Sequence, residues 1–156
     1  MSSASNSAEL TSESSQRFQS SKSEMLRLKY KKISSEGRTS LNILMVGDIH
    51  VEISTIQEHR IALRKLREYL EVCGSTVDII VSAGDILHEH GKLHATCLNV
   101  AIEYAKLFIE FAPTYFIVGN HDMVNQSAFL SSQHWMECLK EWPLIIVDNV
   151  LIENIK

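Results

Sequence analysis

The sequence predicts an α/β fold on a mainly parallel sheet, with its elements in β-α-β-α-β order. Two observations carry this. Three short apolar runs each close on a glycine, at Gly47, Gly84 and Gly119. Between them lie two longer segments whose apolar residues recur at helical spacing. Strands that alternate with helices are joined by right-handed crossovers, which leave the strands parallel. A length of 156 residues fits one domain.

Residues 1–37 differ from the rest. From Ser2 to Ser23 the chain is rich in Ser, with Asn, Glu and Gln between and few large apolar residues. Such a stretch buries too little apolar surface to offset its ordering entropy, so it reads as a disordered tail. Arg27, Lys29, Lys31 and Lys32 follow as a basic linker, either solvated or in contact with a phosphate backbone or partner. The domain is expected over residues 38–156.

Leu41 to Val46 reads as a buried strand. A helix follows, capped by Ser54 or Thr55, with Ala62, Leu63, Leu66, Leu70 and Cys73 on one stripe and Gly74 at its C-terminal cap. Val77 to Ala83 is the second buried strand. The second helix is expected from Lys92 to Phe111, with Leu98, Ala101, Ile102, Ala105, Phe108 and Ile109 inward, and Pro113 breaks it. Thr114 to Val118 is the third strand. A short helix over Ser131 to Lys140, a fourth strand over Leu144 to Val147, a turn at Asp148-Asn149 and the start of a fifth strand over Val150 to Glu153 complete the pattern.

The formal net charge of −4 argues against a global field that draws the chain to nucleic acid or an anionic membrane. Three widely spaced cysteines, Cys73, Cys97 and Cys138, argue against a disulfide framework or a structural zinc site. No apolar run approaches the length of a membrane span, and the N-terminus lacks the apolar core of a secretory signal. The expected setting is intracellular, in the cytoplasm, with no membrane partner.

Each of the first three strands ends in a polar cluster: Asp48-Ile49-His50, Gly84-Asp85-Ile86-Leu87-His88 and Gly119-Asn120-His121-Asp122. In a parallel sheet the carboxyl ends share one edge, where ligands bind, so clusters distant in sequence should converge. Asp, His and Asn offer oxygen and imidazole donors without thiolate, a set that suits Mn, Fe, Zn or Mg. Asp48 and His50, two apart on extended backbone, would point to one side. Asp85 could bridge two cations, and Asn120 could complete a second site through its carbonyl.

The three clusters resemble, in order, the first signature blocks of the calcineurin-like metallophosphoesterases: Asp-x-His, Gly-Asp, and Gly-Asn-His followed by Asp or Glu. The resemblance implies a binuclear centre of two divalent ions, Mn²⁺ foremost, that hydrolyses phosphate esters. It implies Asp48 and His50 as ligands of the first metal, Asp85 as the bridge and Asn120 as a ligand of the second. It also implies His121 as general acid or transition-state stabiliser, with Asp122 orienting its ring. His88, three residues after the bridging position, resembles the histidine of the double-strand-break repair nucleases and related phosphodiesterases. It joins the catalytic set and points to phosphodiesters, nucleic acid among them.

The family's later blocks, a histidine and a Gly-x-His-x-His-like pair, have no counterpart after Asp122, where His134 alone follows. The chain therefore reads as the N-terminal half of a metallophosphoesterase β-sandwich flanked by helices. A separate C-terminal half or a second copy becomes a candidate partner. The alternative is a catalytically inactive module of the same fold that binds partners, like the retromer subunit of the superfamily. Outside the blocks, His59 reads as solvated and His134-Trp135 as packing. His90 and His94, on either side of Gly91, read as surface residues or substrate contacts at the site's edge.

Overall fold

The computed structural model describes residues 39–125 and 131–153. The expected tail and basic linker lie outside these. The described residues form a four-stranded, all-parallel sheet in the order β1-β2-β3-β4, with two helices. The strands are β1 (Ile43–Val46), β2 (Ile79–Ser82), β3 (Thr114–Ile117) and β4 (Ile145–Val147), and the helices are α1 (Ile56–Cys73) and α2 (Ala95–Phe111). The register pairs Ile43 with Ile79, Ile80 with Thr114, and Tyr115 with Ile145.

Strand side chains alternate between faces, and the two faces meet different fates. Ile80, Ser82, Thr114 and Phe116 point to the helical side and are fully buried. There they meet Leu63 and Leu70 of α1 and Val100, Ala101, Tyr104, Ala105 and Phe108 of α2. Phe108 sits edge-on to Phe116, with ring centroids 6.0 Å apart. The opposite face is open at its β1 edge, where Ile43 is 52% exposed and Met45 65%, while Ile79 and Tyr115 farther in are buried and the Tyr115 hydroxyl bonds the Glu153 carboxylate. The first strand is thus half-buried rather than buried. It is apolar on both sides, although its outer face has no cover among the described residues.

Several boundaries differ from expectation for local reasons. Ser54 and Thr55 do not cap α1. Their hydroxyls donate to the Glu52 side chain and carbonyl, and a 3₁₀ turn over Ile53–Thr55 leads into the helix. Gly74 does follow α1, but with ordinary right-handed backbone. It is small because a Cβ there would lie 2.7 Å from Phe111 Cδ1.

Helix α2 begins at Ala95, not Lys92. Gly91 has φ +66° and the Lys92 N–H donates to the His90 carbonyl at 2.8 Å, so this stretch is a tight turn. The expected helix over Ser131 to Lys140 shrinks to a 3₁₀ turn, Trp135–Leu139. His134 is extended and bridged to Met123, which takes the preceding residues out of any helix. Val150 to Glu153 forms no strand; the Val150 N–H is turned back onto Asn149 Oδ1 at 2.8 Å. No helix among the described residues is long and apolar enough to cross a membrane.

Candidate metal centre

The loops after β1, β2 and β3 leave the same edge of the sheet, and backbone bonds stitch the first two together. The His50 N–H donates to the Asp85 carbonyl at 2.9 Å, and the Val51 N–H to that of Ile86 at 2.7 Å. Asp48 and His50 are not on extended backbone. Both have φ +47°, and Asp85 has φ +50°. Left-handed backbone costs a non-glycine residue on the order of 1–3 kcal/mol and persists where the surroundings over-determine it. Here it folds the loops inward over the strand ends, so Asp48 and His50 still reach one place.

The third loop is tied in by side chains. Asp85 Oδ1 accepts the His121 N–H at 2.8 Å. Gly119 backs directly onto Asp85, where a Cβ would stand 2.2 Å from Asp85 Oδ1. Gly84, with φ +92°, would clash with Gly119 N at 2.7 Å if it carried a Cβ. Two glycines thus let the second and third loops touch backbone to backbone.

The result is a cup of carboxylates and imidazoles. One ligand atom each from Asp48, His50 and Asp85 lie within 4.8 Å of one another, as do one each from His50, His88 and His121. His50 Nε2 is 3.9 Å from Asp85 Oδ2, and His50 Nδ1 is 3.3 Å from His88 Nδ1. His121 Nδ1 is 2.6 Å from the His88 carbonyl oxygen. A carbonyl only accepts, so Nδ1 carries the proton and Nε2 is left to take or give one. Asn120 is exposed on the same loop, next to His121.

Asp122 is 3% exposed. Its Oδ1 accepts from Ile86 N at 3.0 Å, Leu87 N at 3.4 Å and Trp135 Nε1 at 2.9 Å, and its Oδ2 from Gly119 N at 3.0 Å. Asp122 thus clamps the second and third loops to the indole, and the His121 ring meets the His88 carbonyl. Burial pushes its carboxyl above the ordinary value, against the pull of all four donors.

His134-Trp135, expected to pack, takes part in two polar arrangements as well. One is the Trp135 bond to Asp122. The other is a second polar cluster, with His134 Nε2 3.3 Å from Asp148 Oδ2 and 3.7 Å from Glu137 Oε2. Lys140 Nζ lies 2.6 Å from Asp148 and 2.7 Å from Glu137, so the ammonium already fills the place of a cation. No local motif marks either feature. His59, expected in solvent, shares a 3.3 Å bond with the Tyr104 hydroxyl.

The bond from Lys140 holds the Asp148 carboxyl below its usual range. A depressed folded pKa contributes stability above the ordinary carboxyl value that is lost as pH falls through the lowered one. Lys140→Met is therefore expected to flatten the loss of thermal stability below about pH 4, measured as midpoints across that range.

The sequence pattern of the family described as calcineurin-like phosphoesterase matches residues 41–155, which holds the whole sheet and cup. The chain belongs to that family. It is 44% identical over 115 residues to "Putative phosphoesterase 244L" of Invertebrate iridescent virus 6. It is 34% identical over 119 residues to "Putative phosphoesterase 078R" of Invertebrate iridescent virus 3. These alignments take in 73% and 76% of this chain but 40% and 34% of the two relatives. Calcineurin-like phosphoesterases typically use divalent metals, and the donor set here fits them. Two carboxylates and three imidazoles converge with no thiolate.

Proposed function

We propose that the chain is the metal-binding part of a phosphodiester hydrolase. The observation that carries this is the convergence of Asp48, His50 and Asp85 with His88 and His121 at one edge of the sheet. Asp48 and His50 would hold one divalent ion, Asp85 would bridge, and Asn120 would serve the second. Mn²⁺ is the first choice, ahead of Fe, Zn or Mg. Bound there, the ions would supply positive charge against the phosphate oxygens and make water more acidic.

The protein's own part is proton handling. In hydrolysis a water oxygen forms the new P–O bond, the ester P–O bond breaks, and the leaving oxygen takes a proton. His121 suits that delivery as the imidazolium: its Nδ1–H is held by the His88 carbonyl, Nε2–H is the proton passed to the leaving oxygen, and the proton released by the attacking water restores the balance. The resemblance of His88 to the histidine of the double-strand-break repair nucleases and related phosphodiesterases is what favours a phosphodiester over a monoester, as in a nucleic acid strand. The three free cysteines fit a reducing cytoplasm.

The second reading, a binding module without turnover, is favoured by the open sheet face around Ile43, Met45 and Ile117. The rest of a longer chain, a separate C-terminal half or a second copy would each cover it. Turnover separates the readings. A bis-aryl phosphodiester with Mn²⁺ should be cleaved by a chain extended to the length of its relatives. His121→Asn should slow that cleavage by roughly 100-fold or more. Metal binding with no turnover in the extended chain would leave the binding module standing.

A further inference from the structure

His90 belongs to neither ligand group of the cup, yet its ring lies flat against His121, with centroids 4.5 Å apart and planes 21° from parallel. We propose that His90 is a positioning residue that fixes the His121 imidazole for proton transfer. The inference rests on the reading of His121 given above.

The need is physical. The outer torsion of a histidine is broad, with no sharp minimum of its own. The bond from His121 Nδ1 to the His88 carbonyl restrains that torsion, but with a single hydrogen bond. A flat neighbour adds a second restraint by blocking rotation out of the ring plane. His50 meets His121 edge-on at 4.8 Å, and His88 lies near-parallel but farther, at 5.5 Å. His90 is the nearest of the three and supplies the close face.

The chain goes to some length to put it there. The Lys92 N–H closes a three-residue turn on the His90 carbonyl around Gly91, which has φ +66°. A Cβ on Gly91 would come within 2.8 Å of the Val124 carbonyl oxygen, so this turn is seated on the loop that follows His121. His90 Nδ1 is buried with no hydrogen-bond partner. The ring is therefore not held by a bond at that nitrogen. Its flat contact with His121 is what the arrangement preserves.

The test compares His90→Ala with His90→Phe, which keeps a flat ring and loses both nitrogens. The first readout is the ring ¹⁵N spectrum of His121 in the metal-free chain, at a pH where imidazoles are neutral, assigned by its loss in His121→Asn. Wild type and His90→Phe should show one fixed Nδ1–H tautomer, and His90→Ala a mixture of both. In an extended, active chain, kcat should fall roughly 10- to 100-fold in His90→Ala with KM little changed, and His90→Phe should restore most of it. An unaltered His121 spectrum in His90→Ala overturns the proposal. So does a His90→Phe spectrum as mixed as that of His90→Ala, which would assign the effect to the nitrogens. Should His90→Ala unfold, His90→Leu makes the same comparison, filling volume without a flat face. If no phosphate ester is ever cleaved, the function proposed above fails while the tautomer readout still decides this point.

Discussion

Asp122→Ala is expected to lower the thermal midpoint by at least about 12 °C. The substitution leaves the N–H groups of Ile86, Leu87 and Gly119 and the indole of Trp135 without their acceptor. Each buried donor left unpaired costs roughly 1–3 kcal/mol. Some of that is recovered as loops relax and water enters, so a net loss of roughly 3–5 kcal/mol is reasonable. In a domain near 100 residues, 1 kcal/mol moves the midpoint by roughly 4–8 °C. Asp122→Asn should fall between. Its amide oxygen can serve the three donors now on Oδ1, but its NH₂ would face the Gly119 N–H. A calorimetric scan of the three proteins checks the order. An Ala variant within a few degrees of wild type would show that the clamp does not hold the loops.

Asp85→Asn should abolish most of the stabilisation by Mn²⁺ while sparing the metal-free fold. The amide oxygen can still accept the His121 N–H that Asp85 Oδ1 accepts now. What it lacks is the charge. Under the proposed bridging role, metal affinity falls roughly 100-fold or more, the scale of losing about 2.7 kcal/mol. At an Mn²⁺ concentration about 100 times the wild-type Kd, the ion stabilises wild type by about 2.7 kcal/mol. With the Kd raised 100-fold, the same concentration gives the variant about 0.4 kcal/mol. The midpoint shift should thus exceed about 10 °C in wild type and shrink to about 2–3 °C in the variant. Equal shifts in both would remove Asp85 from the centre and leave the ligand assignment without its bridge.

The sheet and the place of the cup were legible because their signals are local. An apolar run closed by glycine marks a strand end, and Asp-x-His, Gly-Asp and Gly-Asn-His mark what each end presents. What escaped is long-range. Asp122 meets Ile86 across 36 positions and Trp135 across 13, and His134 meets Asp148 across 14. No spacing rule links such pairs. The backbone of Asp48 and His50 escaped for another reason: left-handed conformation in a non-glycine residue is imposed by tertiary contact, here the ladder from His50 and Val51 to the second loop. The exposure of β1 was hidden because Ile43 and Met45 are as apolar as Leu44 and Val46, so alternation carried no sign of which face is covered.

The Asp122 clamp lies beneath the cup, and its four donors come from backbone and indole rather than from any residue assigned to a metal. Under the proposed assignment, the walls would stand before an ion arrives, and an incoming cation would not have to order the loops. The fixed spacing of the donors, together with the supply of ions in the surrounding medium, would then decide which divalent metal the cup holds.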